Sequence, residues 1–234
     1  MKIIGHRGVI SLAPENTFSA CYALKSINKN WIETDVVLSK DNIPMIFHDK
    51  ELNRCTNLKG NFKNFTLNEL NNADAGSFFS RKFKNEKIPT LSEFIILCDK
   101  LDINIFLELK SYNNDNLKLV EEVAKRINKY YNKKQEIILC SYSREIIKHL
   151  NKLLPNNKKS LIVDEIPEDW EEFINDNNCY SINLSYIKNN ISDINKCSMK
   201  IPVYCHVVNN TEHYNDLKNI NINGIITDNP ELFI

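Results

Sequence analysis

Short runs of β-forming residues alternate with amphipathic helical stretches along most of this 234-residue chain. The runs are rich in Ile, Leu and Val. The stretches between them carry apolar residues at helical spacing, as Val120, Val123 and Ile127 do. Consecutive parallel strands need a long crossover, usually a helix, whereas antiparallel strands can be joined by a tight turn. The alternation therefore predicts a sheet built from parallel β-α units.

Eight strands of this series can be counted, which is the number that closes a TIM (β/α)8 barrel. The predicted strands cover residues 2–4, 31–38, 103–109, 136–140, 160–163, 180–184, 201–208 and 222–226. A further run at residues 43–47 is set aside as a local hairpin partner. An open doubly wound sheet is the alternative, but no Gly-rich phosphate loop favours it. We therefore predict an α/β protein with a TIM barrel fold.

The stretch from about residue 50 to residue 87 breaks this rhythm and is rich in Asn and Lys. One short helix is predicted within it, at Thr66–Asn71. Regular structure returns with a helix from Thr90 to about Leu101, whose first residues fit a capping box. These features predict a single barrel domain, residues 1–234, with a small insertion after the second βα region.

The charge balance argues against nucleic acid as a partner. Lys and Arg together number 30, as do Asp and Glu, so the formal net charge is +0. A nucleic-acid-binding domain normally shows a basic excess. No apolar run approaches the length of a membrane span, and no signal-peptide h-region follows Met1-Lys2. We expect no bound nucleic acid and no stable membrane insertion.

The seven cysteines are scattered, and none has CxxC spacing. Several lie inside apolar runs, as Cys140 does after Ile137-Ile138-Leu139. An odd, scattered set of this kind is typical of reduced core thiols rather than of a disulfide framework or a zinc site. The composition therefore predicts a cytoplasmic protein.

Acidic side chains lie on two of the predicted strands. Glu33 and Asp35 are two positions apart, so they face the same side, and Glu108 shares a face with Lys110 on the next barrel strand. Carboxylates aimed into a barrel repel one another unless a cation lies between them. An internal ion-pair network would explain one carboxylate pair as well as a metal would. The third carboxylate favours a divalent cation, and oxygen ligands favour Mg²⁺ or Ca²⁺.

Histidine and arginine follow the first strand, in Gly5-His6-Arg7-Gly8. Alone, this tetrapeptide is typical of a turn with two solvated polar groups. A second histidine, His48, ends the run set aside as a hairpin partner. A third, His206, lies on the seventh barrel strand, where it either points into the barrel or packs in its wall. The other two fall in predicted helices and are expected at the surface: His149 and His213.

Together these residues form a candidate set for phosphodiester chemistry. Arginine, lysine and a metal can neutralise a phosphoryl group and stabilise charge on its oxygens. Two histidines can supply a general base and a general acid. The glycines beside them, Gly5 and Gly8, are expected to let the backbone approach a bound phosphodiester closely. The set predicts hydrolysis or transesterification of a phosphodiester.

Several short motifs, in order along nearly the whole chain, resemble those of the glycerophosphodiester phosphodiesterases. They are Gly5-His6-Arg7-Gly8, Ala13-Pro14-Glu15-Asn16-Thr17, Glu33-Thr34-Asp35-Val36, His48-Asp49, Leu52-Asn53-Arg54-Cys55-Thr56, Ile88-Pro89-Thr90-Leu91, Glu108-Leu109-Lys110 and Thr227-Asp228-Asn229-Pro230. The resemblance implies a TIM barrel with an insertion after His48-Asp49. It also implies a divalent cation on three carboxylates, an acid–base pair of histidines and two phosphate-binding cations: Glu33, Asp35 and Glu108; His6 and His48; Arg7 and Lys110.

Two positions depart from this family pattern. The family usually ends strand seven with a Trp-Thr-Val-Asn-like run, and this chain has His206-Val207-Val208-Asn209. The family often has Gln-Ser-Phe after strand four, and this chain has Cys140-Ser141-Tyr142. Imidazole thus stands where a large ring packs on the glycerol side, so we place His206 among the substrate-binding residues. Both changes predict a fit to the alcohol moiety that differs from the usual one.

The leading hypothesis is metal-dependent hydrolysis of glycerophosphodiesters, such as glycerophosphocholine, to sn-glycerol 3-phosphate and an alcohol. Lysophospholipase D-type cleavage of lysophospholipids shares this site plan, and Phe78-Phe79 is the candidate for a lipid contact. A non-catalytic phosphate-binding barrel is a third hypothesis, which only the change at His206 favours.

Overall fold

The computed structural model describes residues 1–112 and 115–233. Within them, nine strands and eight α-helices follow one another. The strands are β1 (Lys2–Gly5), β2 (Trp31–Leu38), β3 (Pro44–Ile46), β4 (Asn104–Leu109), β5 (Ile137–Ser141), β6 (Lys158–Val163), β7 (Ser181–Ser185), β8 (Val203–His206) and β9 (Gly224–Thr227). The helices are α1 (Phe18–Ser26), α2 (Leu67–Leu70), α3 (Leu91–Lys100), α4 (Asn116–Tyr130), α5 (Arg144–Leu153), α6 (Trp170–Asp176), α7 (Ile191–Ser198) and α8 (Thr211–Lys218).

Eight of the strands form a closed parallel barrel in the order β1-β2-β4-β5-β6-β7-β8-β9. β1 closes the ring, because it pairs with β9 along its whole length and with β2 at Gly5↔Ile32. β3 pairs with β2 in the antiparallel sense, as expected for the run set aside from the barrel. The predicted TIM barrel is confirmed, and the alternative of an open doubly wound sheet is wrong.

Side chains inside the barrel change from apolar at its floor to polar at its mouth. Residues two apart on a strand share a face, so Trp31 precedes Glu33 and Asp35 along the inner face of β2, and Phe106 precedes Glu108 on β4. The floor is a buried cluster of Ile4, Trp31, Phe106, Ile138, Cys140, Ile162, Tyr204 and Ile226. The strands that build this core therefore present their next inward residues at the C-terminal mouth.

Threonine side chains cap the starts of α1 and α3. Thr17 caps α1, and its hydroxyl accepts a hydrogen bond from the Ala20 N–H. Thr90 and Glu93 form the predicted capping box of α3, in which the Thr90 N–H donates to Glu93 Oε2 at 2.9 Å. Each cap satisfies backbone donors that the first turn of a helix leaves unpaired. Asn16, which precedes Thr17, binds a side chain at the barrel mouth instead.

The segment between β3 and α3 has a small core of its own. Phe47 and Phe62 stack within it, with ring centroids 4.9 Å apart. The short α2 occupies the middle of the helix predicted at Thr66–Asn71. Near its end the segment meets the start of α1, because Glu86 accepts hydrogen bonds from the Ser19 hydroxyl and N–H. Besides α2 it contains two 3₁₀ turns: Phe62–Asn64 and Arg81–Phe83.

The glycines of the first βα loop serve tight packing inside the protein. A Cβ on Gly5 would lie 2.0 Å from the Gly8 carbonyl oxygen. Gly8 has a φ of +105°, and a Cβ there would lie 2.4 Å from the Ala20 Cβ on α1. A side chain cannot occupy such positions, and positive φ favours glycine. These contacts give the two glycines a role in packing, and the expected backbone approach to a phosphodiester stays a prediction.

All seven cysteines are free thiols, and six of them are buried, as their place in apolar runs predicts. Burial raises the pKa of Cys205 to about 12, so this thiol stays protonated near neutral pH. Among the helices of residues 1–112 and 115–233, none combines the length and the hydropathy needed to cross a membrane.

Candidate active site

A cavity of about 200 Å³ opens at the C-terminal mouth of the barrel. Its lining residues are His6, Arg7, Glu33, His48, Glu108, Lys110, Cys140, Tyr142, Ile162, Asn183, His206, Val207 and Ile226. Seven of the eight residues predicted for the site are among them. The eighth, Asp35, lies beside the cavity within 4 Å of Arg7 and Lys110. The structure therefore brings the whole predicted set together.

Glu33, Asp35 and Glu108 form a buried group of carboxylates, with candidate ligand atoms all within 4.8 Å of one another. Strand pairing explains their proximity, because β2 and β4 are neighbours and Asp35 stands opposite Glu108. Carboxylate oxygens are the ligands that Mg²⁺ and Ca²⁺ prefer. These three residues could hold one divalent cation.

The protonation of this group reflects how poorly a buried site accommodates three negative charges. Burial and the charge of Asp35 raise the pKa of Glu33 to about 8 and that of Glu108 to about 7. Burial would also raise the pKa of Asp35, but nearby cations, Lys110 first among them, lower it overall. A cation among the carboxylates would offset their mutual repulsion. The group therefore fits a divalent cation in charge as well as in spacing.

Two cationic side chains flank the carboxylates. Lys110 Nζ lies 2.7 Å from Glu108 Oε1 and 3.4 Å from Asp35 Oδ1. Arg7 Nε lies 3.6 Å from Asp35 Oδ2, and the Arg7 backbone N–H donates to Glu33 Oε2 at 2.9 Å. Among the described residues, Arg7 Nε is buried without a hydrogen-bond partner. An ammonium and a guanidinium in these places could both bind phosphate oxygens in the cavity.

The two histidines beside the carboxylates are each held by a further carboxylate. His6 Nδ1 lies 2.6 Å from Asp228 Oδ1, and His48 Nδ1 lies 2.6 Å from Asp49 Oδ1. Such a contact favours the tautomer with the proton on Nδ1 and leaves Nε2 for proton exchange. Burial lowers the pKa of His48. For His6 burial acts in the same direction, but the hydrogen bond to Asp228 and the charge of Glu33 outweigh it and raise the pKa.

Two residues of the first βα loop support the site without a role in the sequence-based prediction. Asn16 donates from Nδ2 to Asp35 Oδ2 at 2.9 Å, which fixes one carboxylate of the group. Glu15 accepts from Arg7 Nη1 at 2.9 Å, which fixes the guanidinium. Both lie in the Ala13-Pro14-Glu15-Asn16-Thr17 motif, which belongs to the family resemblance but is given no role in the site. Asp228 is a third such residue, and the Thr227-Asp228-Asn229-Pro230 motif is its signal.

Residues 6–232 match the model of the Glycerophosphoryl diester phosphodiesterase family. The chain belongs to this family. It is 30% identical over 238 residues to a glycerophosphodiester phosphodiesterase of Caldanaerobacter subterraneus, a match that covers 99% of this chain and 96% of the relative. It is 25% identical to a glycerophosphodiester phosphodiesterase of Bacillus subtilis, over 98% of this chain and 84% of the relative. A solved phosphodiesterase of Oleispira antarctica, in complex with the product sn-glycerol-3-phosphate, has a TM-score of 0.95 at 25% identity, covering 99% of this chain and 94% of that one.

Polar side chains line one wall of the cavity. His206, at the end of β8, lines the cavity, which decides between its two expected placements. Tyr142 Oη lies 3.1 Å from His206 Nε2 and 3.2 Å from Asp164 Oδ1. Burial lowers the pKa of His206 to about 4, so the ring is neutral near neutral pH. A neutral histidine and a tyrosine therefore form a polar wall of the cavity.

Other residues considered from the sequence lie apart from this site. His149 and His213 are on α5 and α8, are partly exposed and do not line the cavity. Phe78 is exposed, whereas Phe79 packs edge-on against Phe83 with ring centroids 5.5 Å apart. The pair predicted as a lipid contact thus offers one exposed ring rather than two.

Proposed function

We propose that this chain hydrolyses glycerophosphodiesters to sn-glycerol 3-phosphate and an alcohol, with one divalent cation, Mg²⁺ or Ca²⁺, as cofactor. The observation that carries the proposal is the convergence of three buried carboxylates, two carboxylate-held histidines and two cationic side chains on one cavity. Family membership supports the reaction class. The sn-glycerol-3-phosphate bound to the Oleispira antarctica phosphodiesterase supports the product.

In this proposal the carboxylates bind the cation, and the cationic side chains bind the phosphate group of the substrate. Glu33, Asp35 and Glu108 would hold the cation, which when bound supplies Lewis-acid polarisation of the phosphoryl group. Arg7 and Lys110 would bind the phosphate oxygens. Their contacts with neighbouring carboxylates hold them in place before the substrate arrives, so little reorganisation accompanies the reaction.

His6 and His48 would be the acid–base pair, each acting through Nε2. One ring removes a proton from the attacking oxygen, which belongs either to water or to the glycerol itself, and the other protonates the leaving oxygen. The carboxylates at Nδ1, Asp228 and Asp49, orient the rings and stabilise the imidazolium form. His206 would contact the substrate as a neutral hydrogen-bonding group in the cavity wall.

Release of sn-glycerol 3-phosphate from glycerophosphocholine tests the proposal. We expect activity with Mg²⁺ or Ca²⁺, its loss in EDTA, and a fall of about 100-fold or more in kcat for His6→Ala and for His48→Ala. His149→Ala, a histidine outside the cavity, is the matched control and should keep wild-type activity. Activity that survives both EDTA and His6→Ala would contradict the proposed mechanism.

Comparison of soluble and micellar substrates tests the lysophospholipase D alternative. A lipid-cleaving enzyme needs an apolar approach surface, and Phe78 supplies one exposed ring. We therefore expect faster turnover of water-soluble glycerophosphocholine than of micellar lysophosphatidylcholine. The opposite order would favour the lipid substrate. Substrate binding without turnover under either cation would favour a non-catalytic barrel.

A further inference from the structure

Arg54, in the segment between β3 and α3, joins two carboxylates at the edge of the cavity. Its guanidinium contacts both oxygens of Asp49, from Nε to Oδ2 at 2.7 Å and from Nη2 to Oδ1 at 2.8 Å. It also contacts both oxygens of Glu15, from Nη1 to Oε2 at 2.6 Å and from Nη2 to Oε1 at 2.9 Å. The planar fork of arginine suits this double bidentate arrangement, whereas the ammonium of lysine acts as a point charge.

Each of these carboxylates also holds a residue of the proposed site. Asp49 lies 2.6 Å from His48 Nδ1, and Glu15 accepts from Arg7 Nη1 at 2.9 Å. Arg7 follows β1 and His48 follows β3, so the two residues come from different loops. The guanidinium of Arg54 therefore links Arg7, which is proposed to bind phosphate, with His48, which is proposed to transfer a proton.

Stability alone is a weak explanation for this arrangement. About half of the Arg54 side chain, 47%, is exposed, and solvent at the guanidinium weakens its ion pairs, although Glu15 and Asp49 are only 10% and 22% exposed. Without Arg54, Asp49 and Glu15 would face each other as like charges with one cation fewer between them. Each would then be free to draw His48 or Arg7 away from its present orientation.

We propose that Arg54 is a positioning residue that sets the orientation of His48 and Arg7 through Asp49 and Glu15. The inference rests on the proposed function for the roles of His48 and Arg7. Arg54 does not line the cavity, so it acts through its two carboxylate partners rather than on substrate. The segment between β3 and α3 thereby takes part in aligning the site.

Kinetics of Arg54→Ala and Arg54→Lys test this role. We expect Arg54→Ala to lower kcat on glycerophosphocholine by about 10- to 100-fold, with a smaller change in KM, because small displacements of reacting groups are costly. Arg54→Lys keeps the positive charge but loses the two bidentate contacts. Its kcat should therefore lie between those of the alanine variant and the wild type.

Arg144→Ala is the matched control. Arg144 makes a bidentate contact with Asp169, at 2.6 and 2.7 Å, and neither residue lines the cavity. Its side chain is 38% exposed. We expect Arg144→Ala to leave kcat within about twofold, and the Tm of both variants, measured beside kcat, separates a loss of stability from a loss of alignment. An equal loss of kcat in both variants would overturn the proposal.

Long-range ¹H–¹⁵N NMR of the five histidine rings provides a readout that does not depend on turnover. We expect the ring signals of His48 to shift or broaden in Arg54→Ala but not in Arg144→Ala, while those of His149 and His213 stay unchanged. Unchanged His48 signals in Arg54→Ala would overturn the proposal, whatever kcat does. If the wild type shows no turnover, the proposed function fails, and the same NMR comparison still decides the role of Arg54.

Discussion

At the scale of single residues, Glu33 links the protonation of the cavity to the stability of the fold. Burial and the charge of Asp35 raise its pKa to about 8 in the cation-free protein, whereas an exposed glutamate has a pKa of about 4.3. The folded protein therefore binds a proton that the unfolded chain releases in this range. Its free energy of unfolding should fall as the pH rises from about 4 to about 8.

Glu33→Gln removes this titrating group. In EDTA, we expect the variant to exceed the wild type in Tm by roughly 5 °C or more at about pH 8.5, and to differ little from it at about pH 5. Calorimetric unfolding at both pH values measures the effect. At about pH 8.5, saturating Mg²⁺ or Ca²⁺ should raise the Tm of the wild type but not that of the variant. The cation then offsets the negative charge of Glu33, as the proton does at lower pH. A Tm difference independent of pH would contradict this explanation.

Tyr142 supplies the hydroxyl that contacts both His206 and Asp164 in the cavity wall. Tyr142→Phe removes this hydroxyl, and a neutral hydrogen bond contributes about 1 kcal/mol. If the wall binds the glycerol or alcohol side, KM for glycerophosphocholine should rise about 3- to 10-fold, with kcat changed less. Steady-state kinetics measures both constants. Bis(para-nitrophenyl) phosphate, which has no glycerol, is the control substrate, and an equal rise in its KM would count against a role in recognition.

At the scale of elements, the start of α3 is fixed by a capping box that Thr90 and Glu93 share. Thr90→Ala removes the hydroxyl at the N-cap, which costs about 1 kcal/mol of stability and should lower Tm by about 2–4 °C. Thermal unfolding measures this loss. Ser92→Ala, in the first turn of the same helix, is the control and should leave Tm nearly unchanged. Both variants should keep wild-type activity, because neither residue lines the cavity.

The elements could be predicted from the sequence because their signals are local. The spacing of apolar residues, the Thr90 cap and the shared face of Glu33 and Asp35 each depend on residues only a few positions apart. The support of the site depends on residues that are distant in the chain. Asp228 reaches His6 across 222 positions, and no local pattern indicates such a contact. The resemblance to a known family located these motifs, but their contacts required the folded barrel.

At the scale of the whole molecule, the burial of six of the seven cysteines makes thiol reactivity a measure of how tightly the barrel is packed. The exception, Cys179, is partly buried, and burial raises its pKa to about 11. A thiol reagent such as Ellman's reagent attacks exposed thiolates. We expect at most slow labelling of Cys179 in the native protein and rapid labelling of all seven thiols in guanidinium chloride. Rapid labelling of two or more thiols without denaturant would contradict the buried packing.

The pairing of β1 with β9 has a consequence for how the protein comes to be active. During synthesis, a nascent chain without β9 holds an unpaired edge of β1 and a His6 that lacks its Asp228 partner. Contacts between residues so far apart in the chain form slowly, and unpaired edges invite misassembly. In refolding, the helical circular dichroism signal should therefore recover before phosphodiesterase activity does. The delay between the two signals would measure how long β1 and β9 take to pair.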